Sequence, residues 1–208
     1  MDKNKYIIGY LDEEAQWSLT ARNGLMPEFK VVVMDLPQDI AQIWSDVREK
    51  KLDALIVDFR LFESGEVTYT GKDVIEEVQR HNRHFPLFIM TSYEDDAFSQ
   101  CEDVLIIRDK IMFQKEEELH RFKQTLKGRL DSYFRKERAC RNRLLELNKM
   151  ETLTPQQKEE KFEAELYLAE CDQDNAPALN LISSGYTEEM ESLLQMAREI
   201  SNSLNKKG

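Results

Sequence analysis

Residues 52–61 read LDALIVDFRL, an aliphatic run from Ala54 to Val57 that stops on an acid, Asp58. A run this short, bounded by polar residues, suits a strand buried on both faces better than a helix. A carboxylate at the end of such a strand is either a solvated terminus or a reactive group held by a rigid sheet. What else in the chain can reach it decides between the two.

Four further runs share that character: KYIIGYL (5–11), FKVVVMD (29–35), PLFIMTS (86–92) and VLIIR (104–108). With DALIVDF (53–59) they predict five strands. Between them, EAQWSLTARNGL, QDIAQIWSDVREKK and GKDVIEEVQRHN carry apolar residues at helical spacing, with Ile40, Ile43, Trp44 and Val47 on one face of the second. Alternating strands and helices imply an α/β fold with a five-stranded parallel, doubly wound sheet, because right-handed crossovers place helices on both of its faces. Reactive groups in such sheets collect at the carboxyl ends of the strands, where Asp58 lies.

Beyond residue 115 the pattern changes. From Glu116 to about Met150 there is no Pro, and Leu119, Phe122, Leu126, Leu130, Tyr133, Cys140, Leu144 and Leu147 recur every three or four residues, with Glu137 interrupting the stripe. Such a helix would be about 50 Å long at 1.5 Å per residue, longer than one domain of this size covers. A capping signature at Thr154-Pro155-Gln156-Gln157 opens a second helix through Phe162, Leu166 and Ala169. After a connector at 175–185, Thr187 begins a last one with Met190, Leu193, Ala197, Ile200 and Leu204 in a stripe. The chain thus divides into a domain over residues 1–127 and a helical extension over 128–208. Coiled-coil pairing of the long stripe, within the chain or in a homodimer, is a further expectation.

Forty acids against 29 bases give a net charge of -11, which argues against nucleic acid or an anionic membrane as partner, since both are bound through excess Lys and Arg. Residues 116–150 are locally basic, with ten bases and six acids, which suits the acidic tail or a docking face on a protein. No run of about 20 apolar residues is present, and the first residues lack the apolar core of a signal peptide, so a cytoplasmic location is expected. Cys101, Cys140 and Cys171 are widely spaced and odd in number, fitting reduced thiols better than disulfides or a metal clip. His81 and His84 stand in a polar RHNRH turn without a nearby cysteine and are not read as metal ligands.

The strand ends supply a chemistry. The first strand finishes in Leu11-Asp12-Glu13-Glu14, the third in Asp58 and the fourth in Thr91-Ser92, while Lys110 closely follows the fifth. Were these strands neighbours, the carboxylates would converge into a site for Mg²⁺, a hard cation that prefers oxygen ligands. A hydroxyl and an ammonium beside it would steady a phosphoryl group. An Asp so placed can attack phosphorus as a nucleophile and become an acyl phosphate. Lys115 competes with Lys110 if the fifth strand is instead KIMFQ.

YLDEE, LIVDF, Gly71 with the helix DVIEEVQ, PLFIMTS and a lysine after the fifth strand, in this order, resemble the receiver domain of bacterial two-component response regulators over roughly residues 5–127. The resemblance implies a flavodoxin-like fold, Asp58 as phosphoacceptor, Asp12 and Glu13 with Asp58 as Mg²⁺ ligands, Thr91 as the hydroxyl that reports phosphorylation and Lys110 as phosphate partner. It also implies a sensor histidine kinase or other phosphodonor, and a non-enzymatic role in phosphorelay signalling. The chain departs from the family in three places. The loop from Phe62 to Thr70 is long, no Pro follows Lys110, and Ile107 stands where an aromatic switch residue is common.

Those departures keep a second function open, a receiver-like scaffold that binds a protein partner without phosphorylation. A Mg²⁺-dependent phosphohydrolase of the haloacid dehalogenase type would need a second Asp two residues after Asp58, where Arg60 stands. Gln124-Thr125-Leu126-Lys127-Gly128 resembles a histidine phosphotransfer sequence, but Gln124 occupies the phosphate-accepting position and His120 is a turn out of register.

Overall fold

Ala54, Leu55, Ile56 and Val57 are all fully buried, as an aliphatic run without polar alternation requires, and they form the central strand of the sheet. In the computed structural model, which describes residues 5–92 and 107–174, the strands are β1 (Ile7–Leu11), β2 (Lys30–Met34), β3 (Ala54–Asp58), β4 (Leu87–Thr91) and β5 (Ile107–Asp109). All pair in parallel, in the order β2-β1-β3-β4-β5. This is the flavodoxin-like order of a doubly wound sheet. The register sets Leu11 beside Val57, Asp58 beside Met90 and Thr91 beside Asp109, so the strand ends fall along one edge.

The described helices of this part are α1 (Ala15–Leu25), α2 (Gln42–Glu49) and α3 (Gly71–His81), followed by the long α4 (Glu116–Leu147). Alternation along the strands divides the core in two. Leu55, Val57, Leu87 and Ile89 pack with Ile43, Trp44 and Val47 of α2 and Val74, Ile75 and Val78 of α3. Ile8, Tyr10, Ile56, Phe88 and Met90 face the other way, against Ala21 and Leu25 of α1 and Phe122, Leu126 and Leu130 of α4.

The long helix ends at Leu147, three residues short of the expected Met150, and α2 starts at Gln42 because Asp39 and Ile40 hold the preceding turn. Asp39 Oδ1 accepts from the Ala41 amide there. Among the described residues the fifth strand covers Ile107–Asp109, and residues 104–106 of the expected 104–108 lie outside them. The connector at 175–185 and the last helix from Thr187 are outside them too.

The chain divides into two compact units, Met1–Lys136 and Glu137–Gly208. In the first, α4 is fixed by more than its apolar stripe. Tyr6 donates to Asp131 Oδ1 at 2.5 Å and stacks on Phe134, and Asn82, where α3 ends, donates to the Tyr133 hydroxyl at 3.0 Å. Phe122, Leu126 and Leu130 are therefore spent on the chain's own sheet, which leaves that half of the stripe no role as a dimer seam. In the second unit, α5 (Pro155–Cys171) opens with a capping box, Thr154 and Gln157 each bonding the other's backbone amide. Arg143 grips Glu160 with two nitrogens, at 2.9 and 2.5 Å.

Gly71 lets α3 start against the end of β3. A Cβ at this position would lie 2.2 Å from the Asp58 carbonyl oxygen and 3.0 Å from Phe59 Cα. Gly71→Ala should destabilise the fold by about 1–3 kcal/mol, the usual cost of overpacking against backbone that cannot yield, as measured by denaturant unfolding.

Candidate functional site at the strand ends

The loops leaving β1 and β3 and the turn after β5 bring together residues far apart in sequence. Asp12 and Asp58 are buried, and so is Lys110, which opens the 3-10 turn Lys110–Gln114. Lys110 Nζ lies 2.9 Å from Asp58 Oδ1, 3.0 Å from Asp12 Oδ2 and 3.7 Å from Glu14 Oε1. The second oxygens of both aspartates accept backbone amides, Asp12 Oδ1 from Glu14 and Asp58 Oδ2 from Arg60, each at 2.9 Å. Each carboxylate is thus oriented by its own loop and bridged by one ammonium.

Asp12, Glu13 and Asp58 each offer an oxygen within 4.8 Å of the others. Glu13 Oε2 is buried and accepts no hydrogen bond among the described residues. Such an oxygen is costly to bury unless something else engages it. Three carboxylates face one ammonium, so an ionised cluster keeps a negative excess that a divalent cation would offset. The donor set, all oxygen, fits Mg²⁺.

The titration of the cluster follows its crowding. Burial, then the charge of Asp58, pushes the Glu13 carboxyl up to about 8. Burial likewise raises Asp12, against the opposing pull of Lys110 and the Glu14 amide. Burial disfavours the charged Lys110, but the neighbouring Asp58 and Asp12 outweigh it and hold its ammonium above the ordinary lysine range.

Thr91 ends β4, buried, one residue past the partner of Asp58 in the register. Lys115 is half exposed and pairs with Glu118 at 3.0 Å, so Lys110 is the lysine at the acids. In place of a proline after Lys110, Ile111 donates its amide to Asp109 Oδ1 at 2.9 Å, a bond that closes the turn and that proline could not make. Ile107 is buried in the core shared with α2 and α3. His81 stacks on Trp44 and pairs with Glu77, away from the acids. Gln124 is exposed on α4 and contacts His120 at 2.9 Å.

Sequence reading missed two neighbours of the site. Tyr10 donates to Asp12 Oδ2 at 2.9 Å, and Trp17 lies with its ring centroid 5.9 Å from Lys110 Nζ. For Tyr10 the available signal was a phenol in the otherwise aliphatic strand IIGYL, since a buried hydroxyl requires a partner.

No protein-family model matches the chain, and no curated protein does. Solved structures similar to it include a response regulator receiver protein from Sinorhizobium medicae, at 16% identity and TM-score 0.46 over 62% of this chain and 97% of that one. The RcsB response regulator of Salmonella typhimurium is similar at 15% identity and TM-score 0.45, over 91% and 92%. The constitutive lysine decarboxylase of Escherichia coli is similar at 14% and 0.43, over 72% of this chain and 21% of that one. At these values the similarities carry no functional argument. The fold of the first unit is flavodoxin-like, and the order and direction of its own five strands establish this. No described helix is long and apolar enough to cross a membrane.

For Glu13 the folded value, about 8, exceeds the ordinary 4.5. Its contribution to stability is therefore fully present below pH 4.5 and is lost as the pH rises through about 8. In metal-free buffer the melting temperature should fall across that window, and Glu13→Gln should flatten the fall, as read by calorimetry at stepped pH.

Proposed function

We propose that this protein is a phosphorylation-controlled signalling module that accepts a phosphoryl group on Asp58 and acts through protein contacts of its helical extension. One observation carries the reading: Lys110 bridges Asp12 and Asp58 at 3.0 and 2.9 Å at the carboxyl ends of the strands of a parallel sheet, beside a third carboxylate. A structural salt bridge needs one acid per lysine, whereas a phosphoryl-accepting centre needs a nucleophile, a cation site and a separate positive charge together.

An Asp58 carboxylate oxygen attacks phosphorus as the bond from phosphorus to the donor's leaving atom breaks, the imidazole nitrogen of a phosphohistidine or the acyl oxygen of acetyl phosphate, giving an aspartyl phosphate and releasing the histidine imidazole or acetate. Mg²⁺ held by Asp12, Glu13 and Asp58 would supply charge neutralisation for the phosphoryl oxygens. Lys110, already 2.9 Å from Asp58, keeps its proton and moves its charge from carboxylate to phosphoryl. The Thr91 hydroxyl, at the end of the adjacent strand, is the donor that would report the new group. Phosphorylation adds about -1.5 to -2 charge to a cluster already rich in acids, so the rearrangement of Lys110 and its turn is the first mechanical consequence.

A phosphodonor, such as a sensor histidine kinase, and a protein that reads the extension are the partners this implies. The scaffold reading stays in view because of Ile107, an aliphatic residue buried in the core under α2 and α3, where it gives β5 no aromatic to swing. In that case partner binding would survive Asp58→Ala.

Incubation with Mg²⁺ and acetyl phosphate should give a single phosphoryl adduct by intact mass spectrometry, absent without Mg²⁺ and absent from Asp58→Asn. Lys110→Met should slow adduct formation by about 100-fold or more, the usual loss when a preorganised electrostatic partner is removed. Absence of an adduct from the unaltered protein would move the assignment to the scaffold. If the extension also pairs two copies, sedimentation should show a concentration-dependent dimer that truncation after Lys136 abolishes.

A further inference from the structure

Tyr10 is fully buried, yet the reaction above makes no use of it. Its hydroxyl donates to Asp12 Oδ2 at 2.9 Å, the same oxygen that Lys110 holds at 3.0 Å, while the Glu14 amide takes Oδ1. Asp12 is thus fixed from three directions. Burial first, then the Asp12 charge, keeps the phenol strongly in its neutral, donating form. On its other side the Tyr10 ring meets Phe113 edge-on, with centroids 6.2 Å apart. Phe113 stands three residues after Lys110 on the same 3-10 turn, and it shares an apolar cluster with Phe122, Leu126 and Leu130 of α4. The acid and the lysine of the site are therefore both tied to one aromatic pair that faces the long helix.

We propose that Tyr10 is a positioning residue: its hydroxyl fixes Asp12 for a divalent cation, and its ring passes displacements of Asp12 and Lys110 through Phe113 to the buried face of α4. This deepens the reading of the strand ends as a Mg²⁺ site and rests on it. Close-packed interiors transmit small shifts because side chains there have no free space to absorb them. The route also supplies what β5 lacks, since Ile107 offers no aromatic and packs on the opposite face of the sheet. A tyrosine that merely fills the core would need only some acceptor. Here the acceptor is the carboxylate that the cation would share, and outer partners of metal ligands are commonly worth 10–100-fold in affinity.

The test uses the full chain and Mg²⁺ alone, with affinity from titration calorimetry and α4 read by amide hydrogen exchange over residues 119–130, with and without saturating Mg²⁺. Tyr10→Phe keeps the ring and removes the hydroxyl. It should bind Mg²⁺ at least about tenfold more weakly and lose the Mg²⁺-dependent change in α4 exchange. Phe113→Leu keeps the hydroxyl and removes the ring contact, so it should bind within twofold of the unaltered protein and still lose the α4 response. If the unaltered protein binds no Mg²⁺, the metal-site reading fails and this inference with it. If the unaltered protein and Tyr10→Phe bind equally, the positioning role alone is overturned. An undiminished α4 response in either variant overturns the relay.

Discussion

A lysine ammonium held between two aspartates is the constraint on which the first unit depends. Lys110 is almost wholly buried, and an ammonium removed from water needs opposite charges within contact distance or it loses its proton. Asp12 and Asp58 meet that need only if β1 and β3 are neighbours and the turn after β5 folds over their ends, which is the arrangement the sheet order produces. Lys110 and the loop amides of Glu14 and Arg60 in turn supply the opposite charge and the donors that these buried carboxylates need. Apolar burial builds the sheet, and this cluster fixes which loops meet above it. Removing one member would leave the others as buried, uncompensated charges.

The two faces of the sheet divide the labour. The face under α2 and α3 is aliphatic apart from Trp44, Phe59, Tyr69 and Phe85, and α3 begins so close to β3 that only a residue without a side chain fits at Gly71. That face holds Asp58 from behind. The face under α1 and α4 is richer in aromatic residues, with Tyr10, Phe29, Phe88, Phe113 and Phe122. Tyr10 and Phe113 bring it up to the charged cluster, so events at the strand ends meet stiff rings on one side and backbone on the other.

Much of the fold was legible because its signals are local. Aliphatic runs of four or five residues marked the strands, and Thr154 with Gln157 marked the start of α5 within a single helical turn. Asp58 was legible as a strand-ending acid, and Asp12 and Glu13 as an acidic pair on a second strand end. What the sequence left open depends on the pairing of distant segments. Lys110 and Lys115 could not be separated until the end of β5 at Asp109 placed one among the acids and the other beside Glu118. The Tyr10 bond depends on which face of β1 turns toward α1 and α4, and the crowding at Gly71 on how near α3 starts to Asp58. The helical stripe of α4 was plain, but Phe122, Leu126 and Leu130 turned out to lie on the chain's own sheet. Periodicity shows that a helix has an apolar face and does not show what covers it.

The placement of the two tryptophans gives the protein an optical property of its own. Trp17 lies with its ring 5.9 Å from the Lys110 ammonium, whereas Trp44 stacks on His81 in the core on the other side of the sheet. Indole emission responds to nearby charge, so any change at the strand ends that relocates the ammonium reaches Trp17 directly and Trp44 hardly at all. One indole is a fluorescent indicator of the cluster, and the other is a reference within the same molecule.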